Sequence, residues 1–191
     1  MTRFISLGRH CQAAHQIDRV TGPGRPAQFF DWLITPHEGL IALLKGGFGG
    51  FLAPHNLRSQ GEHEGFHAVT DAAFGVEMLH DFPFDARIDV RLAGVQAKYA
   101  HLAQRFLTLP GGRECVFMRQ VEAFDPIQAG AIFAVLGQWF KPGFRLAILA
   151  DSEIADQPVM PDIRVVHVPQ PAPYVWKGSD PAWDKAFKAL E

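Results

Sequence analysis

The stretch Cys115–Asp151, CVFMRQVEAFDPIQAGAIFAVLGQWFKPGFRLAILAD, decides the fold. It opens and closes on the apolar runs CVFMRQ and RLAILAD, both of strand length and neither showing the polar alternation of a sheet with one wet face. Between them Asp125 stands as a helix N-cap and Pro126 at the first helical position, followed by apolar residues as far as Phe140. A strand, a helix and a second strand in this order form a crossover unit, so the two strands are expected to lie parallel. Strands that are apolar throughout need cover on both faces.

The same order extends outward. RFISLG (3–8) is a short apolar run ending in a glycine, and from Cys11 the residues Ala13, Ala14, Ile17 and Val20 recur at helical spacing. IRVVHVP (163–169) reads as a further strand, and a terminal helix follows GSDPAWDKAF (178–187). The expected fold class is therefore α/β: a largely parallel sheet with helices on both faces and Rossmann-like order in the second half.

TGPGRP (21–26) ends the first helix, QFFDWLI (28–34) is aromatic, and TPHEGLIALL (35–44) predicts a helix with Thr35 as N-cap and Pro36 at its first position. Glycines in KGGFGGFLAP (45–54) stop it. Residues 55–80 are polar and predict a small irregular or hairpin excursion with strand-like pieces at 66–70 and 74–79. In 85–109 the residues Ile88, Leu92, Val95, Tyr99, Leu102 and Phe106 mark a long amphipathic helix. Without repeat, low-complexity tract or linker, residues 1–191 are expected to form a single domain.

Composition narrows the function. Eighteen Lys plus Arg against 20 Asp plus Glu leave no basic field for nucleic acid. Two cysteines, Cys11 and Cys115, are read as reduced thiols of a cytoplasmic protein. No export signal and no run of 18 apolar residues suggests a membrane.

Cys11 is the residue with chemical promise. It falls after the first strand and at the head of a helix, where ligands of open parallel sheets collect and where helix N–H groups favour thiolate, with Arg9 and His10 adding to the effect. The plainer reading is a small buried hydrophobe, which is the expectation for Cys115. A cysteine nucleophile needs a base, and VEMLHDFPFD (76–85) sets His80 and Asp81 where a strand-like run ends; otherwise they form an ordinary turn. His15 is expected to be solvated.

Arg119 and Asp151 end two strands on the same rim as Cys11, fit to bind an anion, orient a histidine, or simply pair. HEGFH (63–67) has the spelling of a zinc-protease motif but lies between glycines with no flanking helix, so no metal is expected. Neither GGFGG (46–50) nor LGRHCQ (7–12) has the spacing of a nucleotide cradle, so no cofactor is expected.

Six stretches together, SLGRHCQAA, FFDWLITPHEGL, LHDF, KYAHLAQRF, VFMR and WKGSDPAW, resemble a bacterial family described as papain-like cysteine peptidases. The resemblance implies Cys11 as nucleophile and His80 as base, with Asp81 or Asp31 orienting it. It also implies a cysteine-bearing helix packed on an antiparallel sheet, whereas the second half of this chain reads as parallel strands.

The expected function is a cysteine-dependent hydrolase or acyl transferase acting on a peptide or on a small acyl or glycan substrate. Two other readings stand beside it. One is a non-enzymatic binding domain in which Cys11 packs and Asp31 and Trp32 brace their loop; the other is a glycan- or nucleotide-handling transferase using Arg119 and Asp151.

Overall fold

Parallel pairing of the strands at 3–6, 115–121 and 145–150 organises the computed structural model, which describes residues 2–22, 24–154 and 157–191, the last from 157 to 159 by backbone alone. Along the chain run β1 (Arg3–Ser6), α1 (Gln12–Thr21), β2 (Leu33–Ile34), α2 (His37–Lys45), a 3-10 turn (Pro54–Asn56), β3 (Leu57–His63), β4 (Phe66–Asp71), β5 (Val76–Met78) and α3 (Ile88–Leu107). There follow β6 (Cys115–Val121), α4 (Pro126–Leu136), β7 (Arg145–Ala150), β8 (Gln157–Met160), β9 (Ile163–His167) and α5 (Asp180–Leu190). Pro23, within the stretch expected to end the first helix, lies outside the described residues; the helix itself stops at Thr21.

The first sheet has the order β1-β6-β7-β9-β8, parallel through its first four strands. β1, β6, β7 and β9 are largely apolar because both faces of the sheet are covered there. On one face Phe4, Val116, Met118, Leu149 and Val166 pack with Ala13 and Ile17 of α1 and Trp183 and Phe187 of α5. On the other, Ile5, Phe117, Leu146, Ile148 and Val165 meet Tyr99, Leu102 and Phe106 of α3 and Ile132 and Val135 of α4. The β6–α4–β7 crossover is as the sequence predicts, and Asp125 caps α4 by accepting from the Ile127 and Gln128 N–H groups. Between β7 and β9, however, no helix intervenes among the described residues; β8 folds back antiparallel onto β9.

The excursion at 55–80 is more regular than expected. It supplies three strands of a second, antiparallel sheet of order β2-β5-β4-β3, completed by Leu33 and Ile34. β3 was not legible because nearly all of it is exposed, which removes the apolar alternation that marks a strand. The two sheets share a core: Leu33, Val69, Val76, Met78 and Phe82 join the cluster that holds Ile5 and Phe117. Among the described residues no helix is long and apolar enough to cross a membrane.

One cap differs from expectation. α2 starts at His37 with Pro36 in the N-cap position, so Thr35 does not cap it. The Thr35 carbonyl instead accepts from Arg119, and its hydroxyl is turned against the loop after β1, where a Cβ on Gly8 would come within 2.9 Å of it.

Helix α2 presses closely on the second sheet through a glycine. A Cβ at Gly39 would lie 2.1 Å from the Phe74 carbonyl oxygen, a backbone atom that cannot swing aside. On an open helix surface Gly→Ala stabilises by about 1 kcal/mol. At this position Gly39→Ala is expected to cost about 1–3 kcal/mol in urea unfolding, by forced separation of α2 from the segment before β5; an increase in stability would contradict the packing described.

Candidate active site

The loop between β1 and α1 places the cysteine. Leu7 prolongs the ladder beyond β1, its N–H donating to the Met118 carbonyl at 2.9 Å. Gly8 and Arg9 then both take positive φ, 74° each, and the Gly8 N–H donates to the Ser6 hydroxyl. This double left-handed turn, closed to a larger residue at Gly8 by Thr35, swings the chain onto the rim of the sheet. Cys11 follows as the N-cap residue of α1, its carbonyl accepting from His15 N–H at 3.0 Å. N–H groups of a helix's first turn have no acceptor within the helix, and Cys11 stands at that end of α1, although its side chain does not cap the helix.

Cys11 lines a cleft of about 580 Å³. Its other walls come from the antiparallel sheet, which contributes Ile34, His63 and Glu64 at the β3–β4 turn, and Leu79, His80 and Asp81 after β5. His10, Gln12, Trp32, Lys98, Tyr174 and Trp176 complete it. Thus the helix-borne cysteine belongs to the parallel sheet and the opposing imidazoles to the antiparallel one.

His80 is exposed and rests against aromatic neighbours, its ring centroid 6.1 Å from that of His63 and 5.9 Å from that of Phe66. Asp81 accepts from Tyr99 Oη at 2.7 Å and pairs with Lys98. Its described bonds therefore go to α3 and pin the turn that carries His80. Asp31 is fully buried; its Oδ2 accepts from Arg25 at 2.9 Å and from the Gln28 N–H at 2.7 Å. Burial raises the Asp31 carboxyl, and the Arg25 guanidinium opposes that rise.

The HEGFH stretch is a β-turn. Glu64 and Gly65 have φ of 48° and 84°, the two positive values of a tight two-residue hairpin, and His63 pairs with Phe66 across it. His63 reaches the cleft while His67 Nε2 lies 3.2 Å from the Ala86 carbonyl oxygen, so the two rings do not converge as they would on a helix. Among the described residues no group of three His, Cys, Asp or Glu side chains is placed to hold a metal ion.

The electrostatics correct one expectation. Burial pushes the Cys11 thiol up to about 11, and nearby Asp31 adds to the rise. The lowering by a hydrogen bond from Cys11's own backbone does not offset this, so the resting sulfur is a thiol, not a thiolate. His10 is held below its usual range, first by burial and then by Arg9, whose Nε donates to His10 Nε2 at 3.3 Å. Arg9 itself pairs with Glu122.

The two rim residues of the later strands have distinct surroundings. Arg119 is 3% exposed, donates to the carbonyls of Leu7 and Thr35, and is lowered to about 10 by burial. Asp151 accepts from the side-chain amides of Gln120 and Gln170. Those glutamines both donate to Gln12 Oε1, at 2.8 and 2.9 Å, beside Cys11. Sequence reasoning missed Gln12, Gln120 and Gln170, which carry no motif, and Tyr174 and Trp176, whose signal was the aromatic run YVW in a polar segment.

A family model described as "Putative papain-like cysteine peptidase (DUF1796)" matches residues 2–142, a span that includes Cys11, His80, Asp81 and Arg119. No curated protein and no solved structure matches the chain.

Because the Cys11 thiol is raised, its alkylation by iodoacetamide should climb about tenfold per pH unit from neutrality toward pH 11. Cys115, which is buried and directs its sulfur to the Pro110 carbonyl, should label more slowly throughout. Peptide mass spectrometry separates the two sites. A Cys11 rate that is already maximal below pH 8 would show a thiolate ground state and contradict this account.

Proposed function

The chain belongs to the family described as "Putative papain-like cysteine peptidase", and we propose that it is a cysteine-dependent hydrolase in which Cys11 attacks a carbonyl carbon and His80 accepts the thiol proton. The observation that carries the reading is the placing of Cys11, at the N-terminus of α1, in the same cleft as His80. Fold alone would not support it, since one architecture hosts many chemistries.

A thiol raised to about 11 cannot rely on a standing thiolate–imidazolium pair. Proton transfer from Sγ to the imidazole accompanies formation of the Sγ–carbon bond, as general base catalysis requires. The carbonyl electron pair moves to oxygen, where N–H groups of the first turn of α1 stabilise the negative charge. Collapse of the intermediate breaks the bond to the leaving group, which takes its proton from the His80 imidazolium and leaves a thioester on Cys11. Water, deprotonated by the same imidazole, then releases the acid and restores the thiol.

Asp81 serves this scheme by fixing the turn that bears His80 through Lys98 and Tyr99. His10, to which Arg9 donates, lines the cleft beside the sulfur from the loop before α1, and buried Asp31 braces the segment that presents Trp32 to the cleft. A peptide or small acyl derivative is the substrate class.

The test is acylation with a 4-nitrophenyl ester followed by intact-mass and peptide mass spectrometry. The wild-type chain should gain one acyl group on Cys11, and Cys11→Ala none. His80→Ala should slow acylation by about 10²- to 10⁴-fold with its circular dichroism spectrum unchanged. If the wild-type chain neither acquires an adduct nor releases 4-nitrophenolate faster than Cys11→Ala, the hydrolase reading fails in favour of a binding domain with a structural Cys11; acylation of His80→Ala at the wild-type rate removes His80 from the scheme.

A further inference from the structure

Tyr174, Val175 and Trp176 are consecutive and stand 63%, 44% and 46% exposed. Large apolar side chains grouped on a surface mark a contact made by something else. Two of the three, Tyr174 and Trp176, line the cleft of Cys11. They belong to a strap, residues 170–177, that connects β9 to the turn before α5 and lies beyond the residues matched by the family model.

The strap is tied to the helix that bears the nucleophile. Gln12, next to Cys11, donates from Nε2 to the Trp176 carbonyl at 3.0 Å and to Gln170 Oε1 at 2.9 Å. One turn further along α1, Gln16 donates to the Lys177 carbonyl at 2.7 Å. Asp151 anchors the arrangement from the sheet rim by accepting from Gln170 and Gln120. The Trp176 ring lies 5.2 Å from that of His15, and the Tyr174 phenol is raised by burial and by the nearby Asp151 and Cys11. The backbone of the strap is thus tied to the helix that carries Cys11, with the Trp176 ring packed near that of His15.

Across the cleft stand Trp32, Ile34 and Leu79. Of the charged side chains, Asp81 and Lys98 neutralise one another as an ion pair and Glu64 stands on the exposed β3–β4 turn, so the aromatic and aliphatic surfaces beside the sulfur set the character of that part of the space. We infer that Tyr174 and Trp176 form the specificity wall of the cleft and select substrates that carry an aromatic or bulky apolar side chain next to the carbonyl attacked by Cys11. This rests on the hydrolase reading above for its reaction, although the binding preference can be measured without it.

Two experiments separate the ideas. In the wild-type chain, kcat/KM for the 4-nitrophenyl ester of N-acetylphenylalanine should exceed that for the N-acetylglycine ester, after correction for spontaneous hydrolysis, by about 10- to 100-fold. Trp176→Ala combined with Tyr174→Ala should reduce that ratio at least fivefold. An unaltered ratio, or a wild-type preference for glycine, overturns the inference.

The second experiment uses Cys11→Ala and saturation-transfer NMR with N-acetylphenylalaninamide and N-acetylglycinamide. The phenylalanine compound alone should receive saturation, and the signal should vanish when Trp176 and Tyr174 are also replaced. Aromatic binding in a wild-type chain that neither forms an acyl adduct nor releases 4-nitrophenolate faster than Cys11→Ala would sink the hydrolase reading and keep the wall. Acylation without side-chain preference and without binding selectivity would keep the hydrolase and sink the wall.

Discussion

One buried guanidinium bridges the two sheets at the ends of β1 and β2, beside the core that they share. Arg119 projects from β6 of the parallel sheet and donates at 2.9 Å to the Leu7 carbonyl, at the exit of β1, and at 2.8 Å to the Thr35 carbonyl, just past β2 of the antiparallel sheet. Charge-assisted bonds to backbone acceptors are worth about 1.5–3 kcal/mol each, and they offset part of the cost of burying the cation. That cost is visible in the lowering of Arg119 to about 10. An apolar side chain there would remove the donors that Arg119 gives to the two carbonyls at the seam.

From this seam the positions of the other groups follow. With Leu7 and Thr35 fixed, the loop between β1 and α1 has room only for a glycine at position 8, and Cys11 must emerge at the head of α1. The segment before β2 is stiffened separately by the pairing of Arg25 with the buried Asp31, which keeps Trp32 beside the cleft. The closeness of Asp31 and the depth of the loop raise the thiol. The packing that positions the sulfur is also what keeps it protonated at rest.

The parallel sheet was legible because its signals are local. Continuous apolar strands, the Asp125–Pro126 start of α4, and the spacing of Val95, Tyr99, Leu102 and Phe106 in α3 each need only a few neighbouring residues to be read. Likewise the place of Cys11 at a strand end and helix head follows from RFISLGRHC alone. The antiparallel sheet was half legible: β4 and β5 showed, but β3 is a solvated edge strand and β2 only two residues long. Burial defeated local reasoning about the thiol, since the helix terminus that favours thiolate can be seen in sequence and the desolvation that disfavours it cannot. The resemblance to a family and the reading of strand periodicity had pointed to different sheets. An antiparallel sheet is present, but the cysteine-bearing α1 packs on the parallel one instead, and the antiparallel sheet supplies another wall of the cleft.

The side chain of Gln12 has no capacity left over. Its Nε2 hydrogens serve Gln170 and the carbonyls of Val175 and Trp176, and its oxygen accepts from Gln120 and Gln170. Although it adjoins Cys11, it is therefore not free to greet a developing oxyanion. In the proposed reaction that charge falls to main-chain donors, which no side-chain replacement deletes. Substitutions around the sulfur would then alter how a substrate is seated and how its proton is moved, while the electrostatic stabilisation of the intermediate persists as a property of the helix itself.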